Sequence, residues 1–450
     1  MSNTISIRKG LNIRLVGEAK KEIKDISVSS TVGISPLDFH GLIPKMVVKE
    51  GDVVKVGDVL FFDKKEALVK FVSPVSGTVK SIVRGDKRRI MNVLISTDGK
   101  QTSKKFDVDK VADFSAEDIK SLLLESGFWS AIKQRPLDVI ANPNNQPKGF
   151  FVSSFDSSPL APDYDYILGE DFESLQKGFD ALSKLTGDKV HLSSKPNSIF
   201  NKIKGVKHHT FDGLHPAGNV GTQMHHIDPV NKGEFVWSMN IQEVAAFGRL
   251  LSEGTVQATR KIALTGSELK KPHYITVIKG TEMAAILDKA VEGPNVRYIS
   301  GNVLTGDQKN LTDFLGHYHN QVTVIPEGNE YKFFLTTGWL GHGFDKFSNS
   351  RLFPTFLLPK SKKFTLDTNT NGEERAFVVS GELERVFPFD ILPVQLTKAA
   401  ITQDIDGMEN LGIYEVAPED FALCEYVCTT KINIQEKIRQ GLDLIASECM

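Results

Sequence analysis

Cysteine is scarce in this 450-residue chain, which contains Cys424, Cys428 and Cys449 and no others. Three thiols cannot build a disulfide framework, so the composition fits a reducing compartment. Iron–sulfur clusters are usually held by four thiolates, which this chain cannot supply. Because Cys424 and Cys428 lie four residues apart on one face of a predicted helix, we expect them to be buried, unreactive thiols.

Long apolar runs and an excess of charge of either sign are also lacking. No stretch approaches the roughly 18 uncharged apolar residues of a membrane-spanning helix. The first residues, MSNTISIRKG, lack the apolar centre of a signal peptide. The formal net charge of −2 gives no support for nucleic-acid binding. We therefore expect a cytoplasmic chain that reaches a membrane only through partner proteins.

The length predicts about three domains with separate cores, and the residue patterns add a C-terminal region. Residues 1–100 are predicted to form a β-rich sandwich, and residues 101–255 an α/β domain. Residues 256–330 are predicted to form a small mixed sheet with one helix, and residues 331–450 a mostly helical region. The predicted fold class is therefore a multidomain mixture of α/β and β structure.

The first hundred residues show short strands separated by Gly and Pro turns. The run Ser73–Val79 resembles the barrel-sandwich hybrid of biotinyl and lipoyl carrier domains. In a gapless comparison with the carrier pattern, Glu66 takes the position of the modified lysine, and Lys64 and Lys65 lie one or two positions away. Glu66 has no amine to acylate, and a one-residue slip in a strand turns a side chain to the other face. We interpret the module as structural, with a swinging-arm carrier as the alternative.

Residues 101–255 alternate helical and strand patterns, which predicts a Rossmann-like domain with a largely parallel sheet. Ser115 is a predicted helix N-cap, and Gly127 is a predicted helix stop. Phe150–Ser153 has the composition of a buried strand, and Asn240 with Glu243 signals the start of another helix.

The stretch His215–Val230 reads HPAGNVGTQMHHIDPV. Its glycines and terminal prolines predict a shaped connection and not a regular element. Five of the chain's histidines lie in or beside it, namely His208, His209, His215, His225 and His226. A metal site is one interpretation, but adjacent histidines of an extended segment point to opposite faces and no cysteine is near. We predict no metal site and favour structural or ligand-facing histidines; Gly218 and Gly221 match only part of a dinucleotide-binding fingerprint.

The same stretch, named here the hallmark segment, carries a family resemblance. It resembles the HPAG-x-VGT-x-x-H-x-x-DPV segment in the A subunit of the bacterial sodium-translocating NADH:quinone reductases. The residues of this chain that match the pattern most distinctively are His215, Gly218, Gly221, His225 and Asp228.

A second informative stretch is Glu125–Pro136. In the related flavin-binding subunit of complex I, and in the large soluble subunit of the Rnf complex, this region resembles the glycine-rich loop G-x-G-G-A-G-F-P. Here Phe128, Trp129, Lys133 and Arg135 take the place of the glycines. Backbone amides can approach a flavin phosphate only where side chains are absent, so we expect no tightly held flavin.

Aromatic walls with one cation suit a planar quinone head group, which needs apolar faces and a hydrogen-bond donor. We therefore consider Phe128, Trp129 and Lys133 as quinone or partner contacts, together with Phe39 and His40 in the turn Asp38–Lys45. The alternative is that the aromatic side chains fill the space of a lost flavin and that the turn is a packed loop.

The last two parts of the chain carry weaker functional signals. Residues 256–330 resemble the β-grasp module called SLBB, which occurs in the same families and serves packing or docking. An aromatic segment surrounds Gly338–Phe344, and helices are predicted to start near Pro393 and Pro418. One face of a last helix is predicted from the spacing of Ile434, Ile438, Leu442 and Ile445.

The resemblance implies a cytoplasmic subunit of a Na⁺-pumping NADH:quinone oxidoreductase at the bacterial inner membrane, with FAD, FMN, riboflavin and a 2Fe-2S centre on partner subunits. From the residues themselves we hypothesise that this chain holds no cofactor of its own and contacts quinone. The residues leave two alternatives open. One is a free-standing nucleotide-dependent oxidoreductase, which NADH binding by the isolated chain would favour; the other is an assembly scaffold without a ligand.

Overall fold

The computed structural model describes residues 4–26, 28–330, 332–336, 338, 340–349 and 351–449. Trp339, which belongs to the predicted aromatic segment, lies outside the described residues.

Two small antiparallel sheets make up most of the N-terminal module and share one apolar core. The strands of this part of the chain are β1 (Thr4–Ile7), β2 (Lys20–Asp25), β3 (Thr31–Ile34), β4 (Pro44–Met46), β5 (Val53–Val54), β6 (Val59–Asp63), β7 (Lys70–Val72), β8 (Gly77–Arg84) and β9 (Ile90–Thr97). One sheet has the order β3-β9-β8-β5 and the other β4-β6-β7. The side chains of Asp52 and Asp58 accept hydrogen bonds of 2.7 Å from the Lys49 and Lys55 amides, respectively. These bonds close the turns at Gly51-Asp52 and Gly57-Asp58.

The α/β module contains a sheet of mainly parallel strands, as predicted. Its elements are α1 (Ala116–Glu125), β10 (Lys133–Arg135), β11 (Val139–Ile140), β12 (Gly149–Ser153), α2 (Tyr164–Ile167), α3 (Phe172–Thr186), β13 (Val190–Ser194), β14 (Lys207–Gly213), α4 (Val220–Ile227), β15 (Val236–Ser238) and α5 (Ile241–Glu253). Ser115 and Asp118 form a reciprocal capping box at α1, and Asn240 caps α5 by accepting from the Gln242 amide at 2.9 Å. The predicted helix starts at these two positions are confirmed.

The prediction that the whole hallmark segment is irregular is wrong. Val220–Ile227 forms α4, so His225 and His226 lie on a helix and not on an extended strand. Gly221 within this helix is needed for a packing reason, because a Cβ there would lie 2.3 Å from Arg135 Nη2. The local sequence, with a glycine and two histidines, gives no helix signal. The helix instead depends on the side chains that pack against it.

The third module is a mixed sheet with one short helix on its face. Its elements are β16 (Thr259–Thr265), β17 (His273–Ile278), α6 (Met283–Leu287), β18 (Val296–Ser300), β19 (Asp307–Lys309) and β20 (Gln321–Pro326). The sheet order is β19-β18-β20-β16-β17-β2. Met283 and Ile286 of the helix pack on Ile262, Ile275 and Val322 of the sheet and so form a core of their own.

The C-terminal helices are α7 (Leu383–Val386), α8 (Pro393–Thr402), α9 (Ile405–Asn410), α10 (Ala422–Val427) and α11 (Ile434–Glu448). All four apolar positions predicted for the last helix are fully buried. Cys424 and Cys428 are buried in the same core, and burial raises the pKa of the Cys424 thiol well above its usual value. Between β20 and α7 the described residues are irregular apart from a 3-10 turn at Pro354–Leu357 and a single β-bridge between Phe364 and Leu15.

The first 25 residues tie the modules together. β1 pairs in parallel with β14 and extends the α/β sheet, whereas β2 pairs in parallel with β17 and extends the third module. Ile13 and Leu15, between these strands, are buried in the C-terminal helical core. The domain limits near residues 100, 255 and 330 remain predictions.

Arg135, at the end of β10, links the α/β module to the C-terminal helices. Its Nη1 donates to the Glu415 carbonyl oxygen and to Asp420 Oδ2, both at 2.7 Å. The side chains of Arg135 and Asp420 are almost fully buried. Asp420 Oδ2 also accepts from the Ala417 amide at 2.8 Å. The pair therefore fixes the start of α10 against the sheet.

We expect Arg135→Met to lower the free energy of unfolding by about 3–5 kcal/mol, because it leaves the Asp420 carboxylate buried without its cation. Urea unfolding followed by circular dichroism measures the change. The matched control is Arg385→Met, which removes an exposed arginine paired with Glu382 and should cost less than about 1 kcal/mol. Equal shifts for the two variants would contradict the structural role of Arg135.

Candidate functional site: two adjoining cavities

The N-terminal, α/β and third modules meet around an apolar cleft, named here the junction cavity. Its volume is about 70 Å³, and the empty space is about 700 Å³ when the open cleft in front of it is included. Side chains from all three modules line it, and those discussed below are Asp38, Phe39, Phe71, Phe128, Glu243, Lys279 and His317. Concave apolar sites with a few polar groups between domains are where small ligands usually bind.

Aromatic rings form the walls of the junction cavity. The Phe39 ring lies edge-on to Phe71, with 4.6 Å between centroids, and 4.7 Å from the His317 ring. The Phe128 ring is 5.7 Å from the Phe247 ring of α5, and Lys279 Nζ lies 5.8 Å from the Phe128 centroid. A flat, apolar ligand would therefore find ring surfaces on two sides and a cation at one edge.

Buried charges form the inner end of the junction cavity. Glu243, in the first turn of α5, accepts from Lys279 Nζ at 2.6 Å and from the Arg260 guanidinium. Burial opposes ionisation of Glu243, but the two cations outweigh it and hold the pKa of this carboxyl well below its ordinary value. Burial lowers the pKa of the Lys279 ammonium, although Glu243 acts in the opposite direction. The charges of Glu243, Lys279 and Arg260 therefore stabilise one another in the buried site.

Two further ionisable groups at the cavity have shifted pKa values. Burial raises the pKa of the Asp38 carboxyl to about 6, although the His317 amide donates to Asp38 Oδ2 at 2.8 Å. Burial also holds the pKa of the His317 imidazole well below its usual value, so the ring is neutral at pH 7. His317 Nε2 is buried and has no hydrogen-bond partner among the described residues.

A second, more polar cavity adjoins the first and is named here the hallmark cavity. Ala131 and Glu243 line both cavities. The hallmark cavity has a volume of about 220 Å³ and lies beyond the ends of β12 and β14, where ligands of open α/β sheets usually bind. His215 and Gly218 of the hallmark segment line it.

Backbone contacts explain the first half of the hallmark segment. Ser157 Oγ accepts from the Gly218 amide at 2.8 Å and lies 3.0 Å from His215 Nδ1. A Cβ at Gly218 would lie 2.5 Å from the Ser157 nitrogen, so glycine is required for this close approach. Burial lowers the pKa of His215 to about 4, which keeps its imidazole neutral.

The second half of the segment holds neighbouring elements. His225 Nδ1 lies 2.8 Å from Glu415 Oε1, and the Asp390 amide donates to His225 Nε2 at 2.9 Å. Because Nε2 accepts, Nδ1 carries the proton and donates to Glu415. Asp228 pairs with Lys148 at 2.7 Å. No group of three or more potential ligands that could hold a metal ion occurs in the described part of the chain.

The structure places the five predicted quinone or partner contacts in different surroundings. Phe39 and Phe128 line the junction cavity together, whereas Lys133 lines the hallmark cavity and pairs with Asp138 at 3.4 Å. Trp129 is fully buried, and its Nε1–H donates to the Ala141 carbonyl at 2.7 Å. His40 is exposed near Asp443, with 2.7 Å between the His40 Nε2 and Asp443 Oδ1 atoms, away from both cavities.

The turn that we compare with a flavin loop on sequence grounds is filled with side chains. Phe128–Ala131 forms a buried 3-10 turn in which the Ser130 amide donates to Gly127 O at 3.3 Å and the Ile132 amide donates to Trp129 O at 3.0 Å. A Cβ at Gly127 would lie 2.8 Å from a Val72 methyl group, so this glycine faces the N-terminal module. The residues present here do not fit a flavin phosphate, because buried side chains occupy the turn and the Ser130 and Ile132 amides already donate within it.

Sequence reasoning missed the polar residues of the junction cavity. Glu243 carried only a helix-start signal, yet its carboxylate contacts Arg260 and Lys279 instead of the backbone. His317 lies in the run His-Tyr-His, an unusual sequence that could have drawn attention to it. Asp38 directly precedes a residue that we did consider, Phe39.

Among the described residues, the helices are all too short or too polar to cross a membrane.

Three family models match the chain. They are the NqrA N-terminal barrel-sandwich hybrid domain at residues 5–98, the NqrA second alpha/beta domain at residues 114–256, and the NQRA C-terminal domain, of SLBB type, at residues 261–310. These matches confirm the predicted fold class, including the carrier-like sandwich and the β-grasp module.

Two relatives and one solved structure illustrate the similarity. The A subunit of the Na(+)-translocating NADH-quinone reductase of Haemophilus influenzae strain PittEE is 39% identical, and the match covers 99% of this chain and 100% of that protein. The corresponding protein of Neisseria meningitidis serogroup A is 37% identical, with the same two coverages. An NAD+-reducing [NiFe]-hydrogenase in the H2-reduced state matches 76% of this chain and 63% of that chain, at 10% identity and a TM-score of 0.39.

The hydrogenase similarity says nothing about function at this TM-score. The full-length matches to relatives that are named as subunits of an enzyme complex, together with the three family models, identify the family of this chain. The chain belongs to the NqrA family, whose members form the A subunit of the Na⁺-translocating NADH-quinone reductase.

Proposed function

We propose that this chain is a cofactor-free subunit of a membrane-bound, Na⁺-pumping NADH:quinone oxidoreductase, and that its junction cavity receives the quinone head group. The complex couples NADH oxidation and quinone reduction to Na⁺ export. In this proposal the chain lies on the cytoplasmic side of the inner membrane and is held there by membrane subunits. The observation that carries the quinone part is the meeting of Phe39 and Phe128 in one cavity with Lys279 and His317.

The chemistry of the junction cavity suits a quinone. The flat ring needs apolar faces, which Phe39 and Phe128 supply, and each carbonyl oxygen needs a donor. Lys279, the neutral imidazole of His317 and a protonated Asp38 are the available donors. The closed part of the cavity is smaller than a quinone ring, so the ring would occupy the wider cleft in front of it.

The packing of Gly127–Ala131 supports the cofactor-free part of the proposal, because it leaves no cradle for a flavin phosphate at the site where related proteins hold one. In this proposal FAD, FMN, riboflavin and the 2Fe-2S centre reside on partner subunits. Gly221 and His225 then serve to position the α/β module against the C-terminal region, whereas His215, Gly218 and Asp228 hold segments within the α/β module.

We expect Phe39→Leu and Phe128→Leu each to weaken binding of a short-chain quinone analogue about two- to tenfold, since aromatic pairs contribute about 0.5–1.5 kcal/mol beyond their area. Titration of the purified chain, followed by calorimetry, measures the affinity. The matched control is Phe179→Leu, which replaces a buried aromatic side chain of α3 outside both cavities. This variant should leave the affinity unchanged.

A photoreactive quinone provides the second measurement. In the assembled complex the label should attach to peptides that contain Gly33–Phe39 or Ser126–Ala131. Labelling that is confined to other subunits, with no binding by the isolated chain, would contradict a quinone site here and would favour the scaffold interpretation.

We expect quinone-analogue affinity to fall as the pH rises through about 6, the pKa of Asp38. Below this pH the carboxyl is protonated and can donate to a carbonyl oxygen; above it the carboxylate can only accept. Lys309 favours ionisation of Asp38 and Asp307 opposes it, and the neutral His317 does not titrate in this range. Calorimetric titrations from pH 5 to pH 8 test the slope.

Asp38→Asn carries a permanent amide donor and should bind with little pH dependence. Asp86→Asn, at an exposed hairpin tip of the same module, should keep the wild-type slope. The role of Asp38 would be excluded by an identical pH profile for wild type and Asp38→Asn.

The cofactor-free part has its own test. The natively purified chain should show no flavin absorbance and no stoichiometric iron, and it should not bind NADH in a fluorescence titration. Stoichiometric flavin that survives gel filtration would overturn this part, and NADH binding would favour the free-standing oxidoreductase.

A further inference from the structure

A segment between the third module and the C-terminal helices exposes large apolar side chains. It is named here the aromatic lobe and comprises the described residues of 332–363, that is 332–336, 338, 340–349 and 351–363. Phe344, Leu352 and Leu357 are 67%, 71% and 74% exposed. Phe333 and Leu335 are also more than half exposed. Monomeric proteins rarely expose so many large apolar side chains in one segment unless the surface binds something.

Contacts within the lobe hold its shape while these side chains point outward. The Gly338 amide donates to Phe333 O at 2.8 Å, and the Thr355 hydroxyl donates to Lys346 O at 2.6 Å. At its base the Phe347 and Phe364 rings lie 5.6 Å apart, and the Arg14 guanidinium lies 5.5 Å and 5.3 Å from their centroids. The exposure is therefore a property of a folded lobe.

The lobe is also positively charged. Residues 332–363 contain six basic side chains and one acidic side chain, although the whole chain has a formal charge of −2. Lys332 pairs with Asp367 and Lys363 pairs with Glu18. Lys360 and Lys362 are exposed and form no ion pair with any described residue. Two uncompensated cations thus follow directly after the apolar tip Phe356–Leu358.

We propose that the aromatic lobe binds the surface of a lipid bilayer that contains anionic lipids. Leu352, Leu357 and Phe344 enter the boundary between headgroups and acyl chains, and the lysines contact headgroup phosphates. This contact is separate from the junction cavity and does not require that quinone binds there. It orients the chain on the membrane in addition to its contacts with other subunits.

The composition favours lipid over a protein partner. Lysine is depleted in protein–protein interfaces, whereas apolar side chains beside lysine are typical of segments that lie at a bilayer surface. The apolar side chains of the lobe are strongly exposed, so they can enter a fluid phase without a matching pocket.

Co-sedimentation with vesicles tests the proposal on the full-length chain. One vesicle type is pure phosphatidylcholine, and the other contains phosphatidylglycerol in addition. We expect binding to the anionic vesicles only, and weaker binding as salt is raised. Leu352→Ser with Leu357→Ser should lower the partition coefficient at least tenfold, and Lys360→Gln with Lys362→Gln should lower it severalfold.

Matched controls change the same residue types elsewhere. Val53→Ser with Leu392→Ser replaces apolar side chains that are 80% and 54% exposed outside the lobe. Lys64→Gln with Lys65→Gln removes two exposed lysines of the N-terminal module. Both double variants should bind anionic vesicles like wild type, and thermal melts should show that all variants are folded.

Two outcomes overturn the proposal. The first is that the wild-type chain does not bind anionic vesicles, or binds both vesicle types equally. The second is that the lobe variants bind vesicles like wild type but fail to assemble with the membrane subunits, which would assign the lobe to a protein interface.

Discussion

The arrangement of the modules depends on one buried carboxylate, that of Glu243. Helix α5 of the α/β module presents it to Arg260 of β16 and to Lys279 after β17, so two modules meet across a largely buried ion triad. A buried triad adds little net stability, but removing one member leaves a charge without its partner, so it strongly disfavours other orientations. Arg260 also donates to the His317 carbonyl at 2.7 Å and thereby fixes the loop at the junction cavity.

The same junction contains the buried turn Phe128–Ala131. Its two large rings, Phe128 and Trp129, have separate consequences. Trp129 packs at 5.3 Å from Trp237 and secures the turn to the sheet. The Phe128 ring instead lies near Phe247 of α5 and Lys279, where it forms a wall of the junction cavity. Adjacent residues of one turn thus serve two ends, packing on the sheet and forming the cavity wall.

Sequence signals predicted correctly those elements that depend only on neighbouring residues. The capping residues Ser115 and Asn240 and the apolar spacing of the last helix predicted elements that the structure contains, because each depends on residues within a turn or two. Helix α4 was missed because its glycine and histidines carry no apolar periodicity. The five proposed contacts were grouped by chemistry, and His40 and Trp129 show that shared chemistry does not imply a shared location.

The sequence by itself determined the family, the order of the modules and the absence of a glycine-rich flavin loop, since these follow from residue types at fixed spacing. Only the tertiary structure decided that β1 and β2 belong to two other sheets, that Arg135 is enclosed by Asp420 and α4, and that Phe39 and Phe128 line one cavity. The physical reason is distance along the chain. Strand pairing and buried ion pairs join residues that are often hundreds of positions apart, and their stability comes from desolvation that no local pattern records.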